Sequence, residues 1–165
     1  MRKAPLADVA AAIDSCGNAV LHLALCRTGS RADAEDVFQN VFLRLHQSAP
    51  KLESEEHLRA WLLRVTVNCC NDWHREARKH PRTAFDEAIA VEGRGGLPDD
   101  EADELRRAVA QLPARQQTAL HLFYFEGYST EEVARITGER PATVRSHLHR
   151  ARKTLKIMLE GGRDA

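Results

Sequence analysis

The sequence predicts an all-α protein in which a flexible acidic linker joins two small helical domains, the second containing a helix-turn-helix. Apolar residues recur at spacings of three and four over residues 1–81 and again over residues 105–165, which is the period of amphipathic helices. Residues 82–104 interrupt this pattern with three glycines and a proline. Aromatic residues make up only 5% of the 165 residues, and this low content favours two small cores over one large core.

The first domain is predicted to contain three helices. The first should end near Gly29, and its apolar stripe comprises Val9, Ile13, Cys16, Val20 and Leu23. Ser30 is a candidate N-cap for the second, whose buried side comprises Phe38, Val41, Phe42 and Leu45. The third should begin after Ser54 and end by Pro81, with an apolar stripe of Leu58, Trp61, Leu62, Val65, Cys69 and Trp73. Three such helices are enough for one small bundle.

The linker is strongly acidic. Eight acidic residues follow Arg82 within residues 82–104, with Arg94 as the one arginine among them. Taken alone, this composition is most simply a solvated tether between the domains.

Helical periodicity resumes in the second domain. It begins at Leu105, pauses at Pro113 and stops at Gly127. Pro141 lies where a final helix would start, because proline is favoured in the first turn of a helix.

The residues around the final turn predict a helix-turn-helix. Ser129 and Glu132 form a capping box in front of a short helix. Ala134 is small enough for a second helix to cross over it, Gly138 permits a left-handed turn, and Val144 can pack underneath. Alone, this pattern is moderately specific, and the helix that follows sharpens it.

That last helix has two distinct faces. Its apolar face comprises Val144, Leu148, Ala151 and Leu155. Between Arg140 and Lys156 there are six basic residues and no acidic residue, a charge distribution that suits a DNA major groove. The candidate DNA-binding residues are Thr143, Arg145, Ser146, His149, Arg150 and Lys153. The alternative interpretation is a solvated basic face, although such a face would normally mix both signs.

The second helix has a polar stripe opposite its apolar side. This docking stripe comprises Asp36, Gln39, Asn40, Leu43 and Gln47. Leu43 lies among the polar groups, which indicates a protein-docking surface, although a single exposed leucine is also common. The acids Asp33, Glu35 and Asp36 are a weaker candidate for a metal site, because the helix dipole already explains acids near a helix start.

The third helix combines basic, aromatic and amide side chains, which suit an unpaired nucleic-acid strand. The candidate residues here and in the preceding loop are Lys51, Arg64, Asn68, Asn71 and Arg75. Trp61 and Trp73 fall on the apolar stripe and are better explained as core residues than as stacking platforms. Cys70 and His74 have the spacing of half a zinc site, but no second pair is visible, so we expect no metal.

The sequence lacks the motifs of several enzyme classes. It contains no Gly-rich phosphate loop, H-E-x-x-H or G-x-S-x-G motif, so we expect neither an enzyme nor a cofactor. With 24 basic and 24 acidic residues, the net charge gives no information about partners. Cys16, Cys26, Cys69 and Cys70 include no C-x-x-C pair and should be reduced and mostly buried.

The sequence also predicts a cytoplasmic protein with no membrane insertion of its own. Asp14 and His22 interrupt the most apolar stretch, which then falls short of the roughly 18 apolar residues of a membrane span. The N-terminus has no small-residue cleavage site after an apolar core, so no secretion signal is expected.

Two blocks of the sequence resemble the extracytoplasmic-function sigma factors of bacteria. The first resembles their promoter-melting domain and comprises residues 33–44, residues 61–65 and the spacing of Asn68, Asp72 and Arg75. The second resembles their second DNA-binding domain and comprises residues 112–113, 127–129, 132–134, 143–146 and 149–152. The resemblance covers about residues 8–158. Ala142 stands where the family commonly has glycine, and His147 where it usually has arginine or lysine.

The resemblance implies a non-catalytic subunit that binds core RNA polymerase, directs it to promoters and helps to open the duplex. The docking stripe would bind the clamp helices of the largest polymerase subunit. The loop 47–54 and the third-helix face with Asn68 would capture unpaired bases of the minus-ten element. Arg145, Ser146, His149 and Arg150 would recognise the minus-thirty-five element. The acidic linker would lie in the nucleic-acid channel of the polymerase.

Two further implications concern partners. Many relatives are held inactive by an anti-sigma factor, so promoter DNA, core polymerase and an anti-sigma factor are the expected partners. The competing hypothesis is an operator-binding helix-turn-helix regulator, in which residues 1–80 would sense a signal or dimerise. Such a regulator would bind a palindromic duplex site without any polymerase.

Overall fold

The computed structural model describes residues 6–48, 50–79 and 100–163, and every regular element within these ranges is helical. The all-α prediction is therefore confirmed. The chain divides into two compact units, residues 1–90 and 91–165. Residues 82–99 of the predicted linker lie outside the described ranges.

The first unit is a bundle of three helices, α1 (Leu6–Thr28), α2 (Arg31–Ser48) and α3 (Glu55–Lys79), each of which contacts the other two. Its buried core comprises Ala12, Cys16, Val20, Ala24, Ala34, Val37, Val41, Phe42, Leu45, Leu62, Val65, Cys69 and Cys70. Trp61 and Trp73 are partly buried and pack against this core, as predicted. The helices therefore bury the stripes that the apolar period indicates.

Local signals set the helix ends in this unit. Gly29 has a φ of +72° directly after α1, a conformation that glycine adopts without steric cost. The Ser30 hydroxyl accepts a 3.4 Å hydrogen bond from the Asp33 backbone N–H, and the Ser54 hydroxyl accepts one of 3.0 Å from His57. Both serines thus satisfy a backbone donor at a helix start.

Helix α1 differs from the prediction in two respects. Ile13, which was predicted to lie on the apolar stripe, is 37% exposed, and the neighbouring Ala12 is buried instead. The segment Asp8–Thr28 has 21 residues and a mean hydropathy of 1.5. By length and composition alone, it could span a membrane. The prediction that no stretch reaches this level is wrong, because Asp14 and His22 are too few to offset the surrounding aliphatic residues. The buried side of the helix nevertheless packs against α2 and α3 as a core element.

The second unit contains α4 (Asp100–Ala110), α5 (Ala114–Leu120), a π-helical turn (His121–Phe125), α6 (Thr130–Thr137) and α7 (Pro141–Arg163). Helix α4 begins earlier than the predicted start at residue 105, because acidic residues are favourable at a helix N-terminus. Leu105, where the predicted helical period begins, is 41% exposed, whereas Ala108 is buried.

The π-helical turn has no counterpart in the sequence-based prediction. The Glu126 backbone N–H donates to the His121 carbonyl at 3.1 Å, one residue beyond α-helical spacing. His121 is buried and stacks on Phe125, while Tyr124 and Phe125 are more than half exposed.

The helix-turn-helix of α6 and α7 is confirmed. Ser129 and Glu132 form both hydrogen bonds of the capping box. Gly138 has a φ of +76° and donates its N–H to the Ala134 carbonyl at 2.8 Å. Ala134 and Val144 are buried at the crossing of the two helices. These contacts fix the orientation of α7 on its unit.

All four cysteines are free thiols, and Cys16, Cys69 and Cys70 are buried while Cys26 is half-buried. Burial raises the pKa of the Cys70 thiol to about 12, so this group stays protonated at neutral pH. The prediction that the cysteines are mostly buried is confirmed.

Candidate nucleic-acid and polymerase interfaces

The exposed face of α7 lies opposite its buried side. Val144, Leu148 and Ala151 are at most 1% exposed and anchor the helix to its unit. Five of the six predicted DNA-binding side chains are exposed, namely Arg145, Ser146, His149, Arg150 and Lys153. The sixth, Thr143, is half-buried. Four of these residues and Ala142 line one shallow surface depression.

A polar cluster supports the start of α7. The Glu139 carboxylate lies 2.8 Å from Nε2 of His147 and 3.9 Å from the Arg115 guanidinium. The side chains of Glu139 and His147 are about 15% exposed. Helical spacing places His147 on a different side of α7 from Arg145 and His149, and its ring contacts Glu139 of the turn.

The docking stripe on α2 is a continuous exposed surface. Asp36, Gln39, Asn40, Leu43 and Gln47 are all exposed. Leu43 is 50% exposed, and its neighbours Phe42 and Leu45 are buried. The structure thus brings the five predicted residues together on one face, with the leucine among polar groups.

The predicted minus-ten residues of α3 also share one face. Arg64, Asn68, Asn71 and Arg75 are exposed, and helical geometry places them within about 60° of one another. We call this set the α3 stripe. Lys51 is exposed in the segment before α3 and lies outside the stripe.

Asp72 connects α3 with α2. Its Oδ1 accepts a hydrogen bond from Arg75, and its Oδ2 lies 3.6 Å from Nη2 of Arg44 on α2. All three side chains are about half exposed or more, so the net contribution of each pair to stability is small, about 0–1 kcal/mol. The carboxylate therefore mainly orients Arg75 along the helix surface.

Arg27 and His74 form a buried polar junction between α1 and α3. Arg27 is 3% exposed, and its Nη2 donates to Oδ1 of Asn71 at 2.8 Å. Nε2 of His74 lies 2.8 Å from the Arg27 backbone carbonyl. Burial lowers the pKa of Arg27. Burial also lowers the pKa of His74, and the positive charges of Arg27 and Arg78 lower it further.

The two metal-site alternatives gain no support from the part of the chain that the structure describes. No group of three or more His, Cys, Asp or Glu side chains is close enough to hold a metal ion there. His74 instead bonds to the Arg27 carbonyl, and Cys70 is a buried thiol.

Arg27, Arg44 and His74 were not among the predicted site residues. Arg27 follows Val20 and Leu23 at helical spacing, so its place on the apolar stripe was a usable signal of burial. No periodic signal marks its partner Asn71, because the two residues lie 44 positions apart.

Comparison with known proteins identifies the family. Residues 12–80 match the family model "Sigma-70 region 2", and residues 102–155 match "Sigma-70, region 4". The chain is 33% identical over 137 residues to the ECF RNA polymerase sigma factor SigM of Mycobacterium tuberculosis, aligning over 82% of this chain and 69% of SigM. This protein belongs to the extracytoplasmic-function sigma factors.

Further relatives agree with this assignment. The sigma factor is 31% identical over 137 residues to the RNA polymerase sigma factor SigV of Bacillus subtilis, aligning over 83% of this chain and 82% of SigV. Its structure resembles that of the sigma factor RpoE in a co-crystal with the anti-sigma factor NepR from Bartonella quintana. That match has a TM-score of 0.76 and 25% identity, and it covers 93% of this chain and 97% of the other.

A second solved structure shows the same fold. CnrH, in complex with the cytosolic domain of CnrY, matches with a TM-score of 0.67 and 20% identity over 95% of this chain and 90% of the other. The resemblance recognised in the sequence is confirmed. This sigma factor is a transcription regulator by family.

Proposed function

We propose that this sigma factor is a non-catalytic, cytoplasmic subunit that binds core RNA polymerase, directs it to specific promoters and helps to melt the duplex. The observation that carries this proposal is the α7 face. Five polar or basic side chains are exposed there on a helix whose opposite side is buried in a helix-turn-helix. A helix displayed in this way fits the major groove, where arginine can bond guanine edges.

The first unit supplies the remaining surfaces. The docking stripe on α2 would bind the clamp helices of the largest polymerase subunit, with Leu43 as its apolar contact. The α3 stripe combines two guanidinium groups with two amides, which suits the phosphates and base edges of an unpaired strand. Lys51 would add a phosphate contact from the neighbouring loop.

An anti-sigma factor is the expected regulator. The solved relatives RpoE and CnrH are each in complex with another protein, and RpoE is bound to the anti-sigma factor NepR. A protein that covers the docking stripe would prevent polymerase binding. This proposal is supported by the exposed apolar position of Leu43 within the stripe.

The function is tested with the purified chain, core polymerase and a promoter library. We expect transcripts to start at a defined set of promoters only when both proteins are present. Specific binding of the chain alone to a palindromic duplex, with no transcript from any template, would overturn the proposal and favour the operator-binding regulator.

Replacement of Arg145 by alanine should weaken minus-thirty-five dependence while leaving polymerase binding intact. Loss of one bidentate guanine contact costs about 1–3 kcal/mol, or roughly 5- to 150-fold in discrimination. Transcription from templates with intact and mutated minus-thirty-five elements measures this effect. Arg107→Ala, which removes an exposed charge from α4, is the matched control. Equal loss of both activities in the Arg145 variant would show that the side chain has a structural role.

Replacement of Leu43 by aspartate should weaken polymerase binding by roughly tenfold or more without unfolding the unit, because the side chain is half exposed. Titration of labelled protein against core polymerase measures the affinity, and circular dichroism monitors the fold. Ser48→Asp is the control, since it adds the same charge to α2 about 140° from Leu43. An undiminished complex would remove the docking stripe from the interface.

A further inference from the structure

The junction between Arg27 and Asn71 determines how one amide of the α3 stripe is presented. Arg27 lies in the last turn of α1, and its guanidinium is almost entirely buried. Its Nη2 donates to Oδ1 of Asn71 at 2.8 Å, while His74, three residues further along α3, bonds to its backbone carbonyl at 2.8 Å. Two hydrogen bonds on adjacent turns of α3 therefore hold the end of α1 in place.

The chemistry of this contact settles the orientation of the Asn71 amide. A guanidinium group has only N–H donors, and it remains protonated in proteins. It can therefore face the oxygen of the amide but not the NH₂ group. The Asn71 oxygen is directed toward buried Arg27, so the NH₂ group is the part of the side chain left for other contacts.

Asn71 belongs to the exposed α3 stripe together with Arg64, Asn68 and Arg75. The two arginines suit the phosphates of an unpaired strand, and the amides suit its base edges. An asparagine that is free to rotate can bind adenine through both its oxygen and its NH₂ group. Asn71 lacks this freedom because its oxygen is already bonded to Arg27.

We propose that Arg27 is a positioning residue that holds Asn71 as a hydrogen-bond donor toward one unpaired base of the minus-ten element. The donor faces the exocyclic group at C6 of a purine or C4 of a pyrimidine, which is a keto oxygen in guanine and thymine and an amino group in adenine and cytosine. Guanine or thymine is therefore selected at this position. This inference rests on the proposed function, because it needs the α3 stripe to contact promoter DNA.

The test uses holoenzyme reconstituted from core polymerase and the full-length chain. Transcripts are counted from a promoter library in which each minus-ten position carries every base. We expect the wild type to prefer a keto base at one position by roughly 5-fold or more, the discrimination of a good base contact. Asn71→Ala should abolish this preference at that position alone.

Two further variants separate base selection from a structural role. Asn71→Asp retains an oxygen for Arg27 but replaces the NH₂ donor by an acceptor, so the preference at the same position should shift from keto bases to the amino bases adenine and cytosine. Arg27→Met should allow the amide to rotate and should flatten the preference at that position. Glu76→Gln, an exposed change elsewhere on α3, should leave the whole profile unchanged.

The outcomes are distinguishable. A shift confined to one position in Asn71→Asp supports the inference even if Arg27→Met fails to fold. An equal loss of transcription from every sequence, or an unchanged profile in the Asn71 variants, would overturn it while the proposed function stands. If the wild type starts no promoter-dependent transcripts, the proposed function fails and the inference falls with it.

Discussion

His74 is a partly buried histidine whose protonation opposes folding. Its Nε2 donates to the Arg27 carbonyl, which favours a charged ring, but burial and the nearby Arg27 and Arg78 charges outweigh this bond. The pKa of His74 is therefore lowered from its ordinary value of 6.5. Because the unfolded chain binds the proton more tightly, the stabilising effect of neutral His74 is complete above pH 6.5 and is lost as the pH falls below it.

We predict that His74→Gln reduces the loss of unfolding free energy between pH 7.5 and pH 5. Glutamine keeps an N–H donor for the Arg27 carbonyl but does not titrate. Urea denaturation of both proteins at the two pH values measures the difference. Since the other histidines are common to both chains, an identical pH dependence would show that His74 does not contribute.

Two glycines illustrate how backbone conformation decides the sign of the same substitution. Gly17 lies inside α1, where a Cβ atom would lie 3.5 Å from Ile13 and 3.5 Å from Phe38, ordinary van der Waals distances. Gly138 has a φ of +76°, a left-handed conformation that disfavours every side chain. The two positions differ in backbone geometry rather than in available space, because nothing lies within 4 Å of a Cβ at Gly138.

We predict that Gly17→Ala stabilises the first unit by about 0.5–1 kcal/mol, because alanine loses less conformational entropy than glycine in a helix. Thermal or urea unfolding of the full chain measures this change. Destabilisation would show that Phe38 cannot tolerate the added methyl group.

Gly138→Ala should destabilise the second unit by about 1–3 kcal/mol, the cost of a non-glycine residue in the left-handed region. The substitution changes no side chain of α7. The measurement therefore pairs unfolding of the second unit with minus-thirty-five recognition at low temperature. A variant as stable as the wild type would contradict the role assigned to the turn.

Elements governed by local rules were predictable from the sequence, and contacts between distant residues were not. The Ser129 capping box and the Gly138 turn depend on residues three to five positions apart, and both appear as predicted. The π-helical turn at His121–Phe125, in which the two end residues stack on each other, has no periodic signal in the sequence. The Arg27 junction likewise appears only when α1 and α3 are packed together.

At the scale of the whole molecule, the candidate surfaces lie on two separate compact units. The docking stripe and the α3 stripe are on the first unit, and the α7 face is on the second. In the proposed function, simultaneous contact with both promoter elements would therefore depend on the chain that connects the units. Covalent connection raises the effective concentration of the second contact once the first has formed.

We predict that cutting this connection weakens promoter binding by about 10²- to 10⁴-fold without unfolding either unit. A protease site inserted between Gly95 and Gly96 allows cleavage after the holoenzyme has been assembled. Promoter affinity before and after cleavage gives the effect, and the uncut insertion variant is the control. Undiminished affinity after complete cleavage would mean that the two contacts are independent.

Asp72 gives the two surfaces of the first unit a shared counterion. It accepts a hydrogen bond from Arg75 of the α3 stripe and lies 3.6 Å from Arg44, which follows Leu43 on α2. In the proposed function, a DNA phosphate that drew Arg75 away would leave more of the Asp72 charge to Arg44, and so would alter the field beside the proposed polymerase contact. By thermodynamic reciprocity, polymerase binding would then alter the affinity for the strand to the same degree. Such coupling would need no backbone motion and would weaken as ionic strength rises.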